Sequence, residues 1–293
     1  MDKLDDRRHS QRQRVVFIDF CLFFLGELKR QDIVDRFDVG PAVATRDIAL
    51  YKNDLGGKVL LNPSTKIYEP EEDFEPLFEH KSDRVLATLS QGFGEFGREE
   101  VNAIIPSEIP YLLNYPSLEA LAPLSRAIHK RQVVRIQYNS FSSGARARDV
   151  VPFALVNNGM RWHVRAYDRY RQRFGDFVLT RVQEAEVLVG EVILTHERPE
   201  QDVQWTRQIE MTLVPHPDRA HPEIIAMDYG MTDNKLCIKV RAAMAGYFLR
   251  QWNVDCSRRH KLKGEDIRLW LSNPLALYNV ETAKLAPGYE TPQ

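Results

Sequence analysis

The sequence predicts an α+β chain, and three patterns of residue order predict it. Apolar residues recur at helical spacing near the amino terminus and give way to a hairpin signal. A single helix then precedes a run of short alternating strands in the middle of the chain, and strand and helix patterns alternate near its end. With 293 residues, 43% of them hydrophobic and 28% charged, the chain sits near the globular average and can bury more than one core. The 40 Lys and Arg against 41 Asp and Glu leave a net charge of −1, so any attraction to nucleic acid has to come from a local basic surface.

The first region, residues 1–68, reads as three helices and a hairpin. Val15, Ile18, Leu22 and Leu25 line one face of the first helix, and Gly26 stops it. Ile33, Val34 and Phe37 form the inner face of a second helix over Arg30 to Phe37. Pro41 opens a third, extending to about Lys52, where its missing N–H costs little. Asn62-Pro63-Ser64-Thr65 is a turn signal inside Lys58 to Tyr68. This is the order of a winged helix-turn-helix, with the hairpin as wing.

In the third helix Ala44, Ile48 and Tyr51 face inward, while Thr45, Arg46, Ala49 and Lys52 fall on or near the other side. A groove-reading helix needs that division: an apolar scaffold side, and short polar or cationic groups for bases and phosphates. Thr45 and Arg46 are the candidate readers; Lys29 and Arg30, at the start of the preceding helix, and Lys66, near the wing tip, are placed for phosphates. The competing reading is a small helical oligomerisation module with a solvated charged face, and Asp32, Asp35 and Asp47 weaken the electrostatic case.

Residues 69–118 form a proline-punctuated connector with helices expected over Asp83 to Gln91 and Arg98 to Ile105. Its Gly92-Phe93-Gly94-Glu95-Phe96-Gly97 satisfies GxGxxG, but a helical stretch precedes it, whereas a dinucleotide loop must leave a strand and open a helix. It is read as a helix end followed by a turn.

In residues 119–200 a helix, Leu118 to Lys130, leads into strands at Val133 to Tyr138, Asp149 to Val156, Arg161 to Tyr167, Phe174 to Val182 and Ala185 to Val189, which suggests a small closed Sm-like or SH3-like barrel. Alternation sets Trp162, Val164 and Ala166 on a packing face and His163, Arg165 and Tyr167 on a face open to a ligand. Guanidinium groups beside aromatic rings suit an anionic, base-bearing ligand, and strand residues Arg165 and Arg181 are the candidates, whereas Arg169, Arg171 and Arg173 read as a solvated hairpin. Residues 201–293 alternate strand and helix as a dimerisation or regulatory unit would.

Cys21, Cys237 and Cys256 form no CxxC pair, so neither a disulfide framework nor a structural zinc site is expected, and Cys21 reads as a core residue. His216 and His221 suggest a metal pair, yet no third ligand is evident, and both read as loop histidines. There is no Walker loop, carboxylate cluster or nucleophile–base arrangement, so no enzyme activity, metal or cofactor is expected. The start, MDKLDDRRHSQRQR, lacks signal-peptide features, and Val15 to Leu25 is too short to span a bilayer and contains Asp19; a cytoplasmic location away from membranes is expected.

The stretch GMRWHVRAYDRYRQRFGDFVLTRV resembles the signature of WYL-domain proteins, with Trp162-His163-Val164 standing where the family usually has Trp-Tyr-Leu. Ile136-Gln137-Tyr138-Asn139-Ser140, Arg148-Asp149-Val150-Val151-Pro152, Val240-Arg241-Ala242 and Tyr247-Phe248-Leu249-Arg250-Gln251-Trp252 extend that resemblance to WYL repressors of anti-phage systems of the BREX and CBASS kinds. The resemblance implies a homodimer on a palindromic double-stranded operator near its own defence genes. It also implies a pocket at Tyr138, Ser140, Arg148, His163, Arg165 and Arg181; with the guanidinium and aromatic chemistry above, the expected ligand is a nucleotide or short single-stranded nucleic acid whose binding relieves repression. A ligand-dependent activator, and a non-catalytic accessory protein tuning a nucleic-acid enzyme, are the alternatives.

Overall fold

The computed structural model describes residues 9–93, 103–108, 110 and 113–291, and it divides into two compact units, Met1–Pro110 and Tyr111–Gln293. In the first unit α1 (His9–Phe20) runs into a π-helical turn, Cys21–Leu25, and ends at Gly26, whose φ of 74° is a left-handed stop. β1 (Leu28–Lys29), α2 (Arg30–Phe37) and α3 (Pro41–Ala49) follow, and α3 continues through a second π-helical turn, Leu50–Asp54. The wing is β2 (Val59–Leu61) and β3 (Ile67–Pro70), and α4 (Ser82–Gln91) comes after it. The three strands pair antiparallel in the order β1-β3-β2. The sequence reading had no β1, because two residues carry no period; Leu28 and Lys29 are held by pairing with Tyr68 and Ile67.

Val15, Ile18, Leu22, Ile33, Ala44, Ile48 and Val59 make the core of this unit, and burial pushes the Cys21 thiol up to about 12, as suits an inert core residue. Asp19, which interrupted the apolar run, is fully buried and satisfied: it accepts from the Tyr51 hydroxyl at 2.6 Å and the Leu77 amide at 2.8 Å, and lies 2.8 Å from His80 Nε2. Tyr51 also explains Gly57, where a Cβ would stand 2.2 Å from the ring. Gly92 ends α4 as expected, whereas the motif from Gly94 onward, and most of the helix expected over Arg98 to Ile105, lie outside the described residues.

The second unit opens with α5 (Leu118–Lys130), capped by Ser117 Oγ, which accepts from Ala120 N at 3.2 Å. A five-stranded antiparallel sheet follows: β4 (Val133–Ser140), β5 (Gly144–Asn157), β6 (Trp162–Asp168), β7 (Arg173–Val178) and β8 (Val182–Leu188), in the order β7-β6-β5-β4-β8. β5 is long enough to serve both halves because its register shifts between Pro152 and Ala154, where proline removes a ladder donor. The expected closure is absent from the ladders: no pairing joins β7 to β8 among the described residues. The chain instead leaves β7 through a 3-10 turn, Leu179–Arg181, so Arg181 stands on that turn and not on a strand.

The rest of the unit is α6 (Val203–Thr206), β9 (Gln208–Pro215), α7 (Pro222–Asp228), β10 (Leu236–Arg241), α8 (Ala242–Gln251) and β11 (Leu269–Leu271). Its sheet is β10-β9-β11, and Met211, Leu213, Leu249, Leu269 and Leu271 form the core with α8. Gly246 lets the C-terminal turn Glu281–Leu285 approach α8: a Cβ there would stand 1.7 Å from the Thr282 carbonyl, and the Gly246 N–H donates to Thr282 Oγ1 at 3.1 Å.

Candidate functional site

The first unit presents the outer side of α3 to solvent. Thr45, Arg46 and Ala49 are exposed on it, Ala44 and Ile48 are buried beneath, and Lys52 is exposed on the π-helical turn that extends it. Thr45 Oγ1 donates to the Pro41 carbonyl at 2.9 Å and Arg46 Nε to the Ala42 carbonyl at 3.2 Å, so both side chains rest on their own helix. Asp47, between these residues in sequence, points the other way. It is 1% exposed and takes Arg14 Nε at 2.5 Å and Gln11 Nε2 at 2.9 Å. One of the three carboxylates set against a cationic face is therefore internal and paired with an arginine. Asp32 is engaged in accepting from the Lys29 amide at 2.7 Å and Asp35 from Gln31 at 2.6 Å.

Lys29 and Arg30 are exposed at the start of α2, and Lys66 is exposed between β2 and β3. The wing turn is shaped by Asn62 Oδ1, which accepts from the amides of Ser64 at 3.1 Å and Thr65 at 3.3 Å.

In the second unit the expected pocket residues separate. Tyr138, Ser140 and Arg148 line a cleft of about 180 Å³ together with Asp168, Asp176 and Phe177. Arg148 is buried, donating to Asp168 at 2.5 Å and Ser143 at 2.9 Å, with its guanidinium 5.8 Å from the Tyr138 ring centre; its Nε has no partner. His163 and Arg181 line a different cleft, of about 540 Å³, with Asn158, Arg161, Tyr247 and Arg250. Arg181 lies 4.1 Å over the exposed Phe141 ring, a cation–π contact. His163 is buried with Nδ1 unpartnered; burial pushes its pKa down and the nearby Asp176 carboxylate opposes that shift.

Arg165 lines neither cleft. It is 3% exposed and donates to Asp202 at 2.6 and 3.0 Å and to Asp176 at 2.9 Å. Burial works against its charge, and the two carboxylates outweigh that and raise its pKa. The β6 face that the alternation left open is covered throughout. Tyr247 lies 5.5 Å from His163, Asp202 grips Arg165, and His196 lies 5.4 Å from Tyr167. Of the hairpin arginines, Arg169 pairs with Glu197 and Glu191, while Arg171 and Arg173 line the smaller cleft.

Residues 10–91 match the winged helix-turn-helix domain of the BrxR transcriptional regulator, residues 119–187 the WYL domain, and residues 208–277 the C-terminal dimerization domain of the BrxR transcriptional regulator. The chain carries these three domains in that order. It is similar to the DNA-binding transcriptional repressor CapW of Escherichia coli (strain KTE188), 28% identical over 285 residues and covering 92% of each chain. CapW of Stenotrophomonas maltophilia is 28% identical over 282 residues, 90% of this chain and 93% of that one. A solved structure, proteasome accessory factor B/C (PafBC) of Arthrobacter aurescens, aligns with a TM-score of 0.31 and 17% identity over 83% of this chain, which spans 44% of that structure's length.

The two clefts differ in charge. The smaller sets Asp168 and Asp176 against Arg148, Arg171 and Arg173. The larger is lined by Arg161, Arg181 and Arg250 with no Asp or Glu among its described lining residues. Cationic donors without local counter-charge suit phosphate or carboxylate groups. Arg250, Tyr247 and Arg161 were absent from the sequence-derived site. Arg250 and Tyr247 lie on α8, and no local pattern links that helix to β6.

Proposed function

We propose that this chain is a homodimeric, sequence-specific repressor of transcription that binds a palindromic operator through α3 and the wing, and is released when a nucleotide or short single-stranded nucleic acid occupies the larger cleft. The observation that carries this reading is the division of α3: Thr45, Arg46, Ala49 and Lys52 outward, Asp47 inward against Arg14. The similarity to CapW repressors and the matched dimerization domain support the same reading, and the resemblance of the sequence to repressors of the BREX and CBASS kinds gives a phage-defence operon as the controlled locus. In it the five-stranded central sheet acts as the Sm/SH3-like sensor, the protein works in the cytoplasm, and no catalytic step is involved. Among the described residues no helix is long and apolar enough to cross a membrane.

For release, the ligand has to prefer the arrangement that does not bind DNA, since equal affinity for both shifts nothing. A coupling of about 1–3 kcal/mol changes operator affinity about 5- to 150-fold. Tyr247 offers a link from cleft to dimerization domain: it lines the larger cleft, sits on α8 and donates to Asp176 at 3.1 Å. The test is a gel shift of the full chain on the DNA upstream of its own gene, with Arg46→Ala beside it. Binding that Arg46→Ala weakens is the expected result; no binding at low salt, or equal binding by both proteins, defeats the reading. In a deletion strain a repressor's loss raises reporter output, whereas a fall would make the protein an activator.

A further inference from the structure

His216, Asp218 and His260, which have no part in the sites above, bring ligand atoms within 4.8 Å of one another. Among the described residues they are the one group of three His, Cys, Asp or Glu so placed. His216 follows the last residue of β9 and is buried, with its amide donating to the Arg268 carbonyl at 2.8 Å. His260 comes from the loop between α8 and β11, so the cluster closes two stretches of chain on each other.

The partner that the sequence suggested for His216 is elsewhere: His221 is exposed beside Glu223 at 3.2 Å.

Two ring nitrogens of this cluster are weakly hydrogen-bonded or without a hydrogen-bond partner. His216 Nε2 lies 3.3 Å from Asp255 Oδ2, and Asp255 is itself buried, accepting from the amides of Ser257 at 2.7 Å and Leu262 at 3.1 Å. A carboxylate so fixed holds the imidazole proton on Nε2 and leaves Nδ1 as the electron-pair donor. That Nδ1 accepts a long hydrogen bond from the Asp218 amide, at 3.3 Å, which an incoming cation would displace. His260 Nδ1 is a buried atom without a hydrogen-bond partner, 3.5 Å from Asp218 Oδ1. The His260 ring is flanked by His216 at 5.8 Å and Trp270 at 5.7 Å.

We propose that His216 Nδ1, His260 Nδ1 and a carboxylate oxygen of Asp218 bind a divalent cation of the zinc class, with Asp255 orienting His216 from behind and water completing the shell. Two imidazoles and one carboxylate are the donors such cations take, whereas magnesium and calcium require shells built almost wholly of oxygen. Metal–ligand bonds of about 2 Å put tetrahedral ligands about 3.3 Å apart. Rotation of the Asp218 and His260 side chains, both partly exposed, closes the remaining distance. Lys263 competes with the cation, since its ammonium pairs with Asp218. The bound ion would clip the end of β9 to the loop carrying His260, within the second unit.

The full chain, stripped with a chelator and desalted, is titrated with Zn²⁺ against a chromophoric competitor, with Mg²⁺ as control. One Zn²⁺ per protomer and no competition by Mg²⁺ are expected. His260→Ala and Asp218→Asn weaken Zn²⁺ binding by about 10- to 100-fold or more, and Lys263→Ala tightens it several-fold. The metal-free variants melt as the parent does, because both altered ligands lie in a loop; His216, buried, is left in place. Co²⁺ substitution gives a tetrahedral nitrogen–oxygen spectrum without a thiolate charge-transfer band, which separates this site from the exposed Cys237. Fewer than one site per protomer, an affinity that His260→Ala and Asp218→Asn leave within about twofold of the parent, or a thiolate band would overturn the proposal.

Discussion

Arg46 and Arg165 present the same signal in the sequence, a guanidinium on the polar side of an amphipathic element, and they finish in opposite surroundings. On α3 the arginine is exposed and the neighbouring carboxylate, Asp47, is drawn inside by Arg14. On β6 the arginine itself is drawn inside, and Asp202 and Asp176 close over it. The difference lies in what covers each element. Nothing among the described residues of the first unit lies over Thr45, Arg46 and Ala49, whereas the segment carrying Glu197 and Asp202 and the helix α8 cover β6 from outside. An arginine's role is thus set by whether a second segment brings a carboxylate to it.

The largest effect expected from this contrast is on stability. Arg165→Ala leaves Asp202 and Asp176 buried without their partner and should cost about 3–5 kcal/mol, read as a drop in the urea midpoint of the second unit. Arg46→Ala should leave the unfolding free energy within about 0.5 kcal/mol of the parent, while operator binding weakens by about 1–3 kcal/mol. Similar unfolding losses in the two variants would erase the distinction between a surface reader and an internal tie.

A smaller effect sharpens the reading of the proposed DNA-binding face. Lys66→Ala should weaken binding evenly across DNA sequences and lower the slope of log affinity against log salt by about 1. An unchanged slope would remove the wing tip from the interface.

The smallest is a pH effect at His163. Burial holds its folded pKa below the ordinary 6.5, so as pH falls the unfolded chain takes up the proton first. Its contribution is complete above about 6.5 and is lost as pH drops from there toward the folded value. His163→Gln, uncharged at every pH, should flatten that part of the stability profile in chemical denaturation; a profile that keeps its full slope there would assign the acid loss to another group.

Much of the architecture was legible because it is written in local periods. The apolar spacing of Val15, Ile18 and Leu22, the proline opening α3 and the Asn62 turn marked the winged region, and alternation marked β4 and β6 within two residues of their ends and the second half of β5, whose start at Gly144 it missed. Chain order by itself also separated the inward residues Ala44, Ile48 and Tyr51 from the outward Thr45, Arg46 and Ala49, since a period of 3.6 residues decides which side each takes. What it could not decide was which charges meet. The burial of Asp19 under Tyr51, the turning-in of Asp47, the capture of Arg165, the division of the expected pocket into two clefts and the arrival of His260 beside His216 all join segments distant along the chain. Residue type states that a carboxylate or an imidazole needs a partner when it leaves water; only the tertiary structure supplies that partner and so settles whether the group binds, ties or senses.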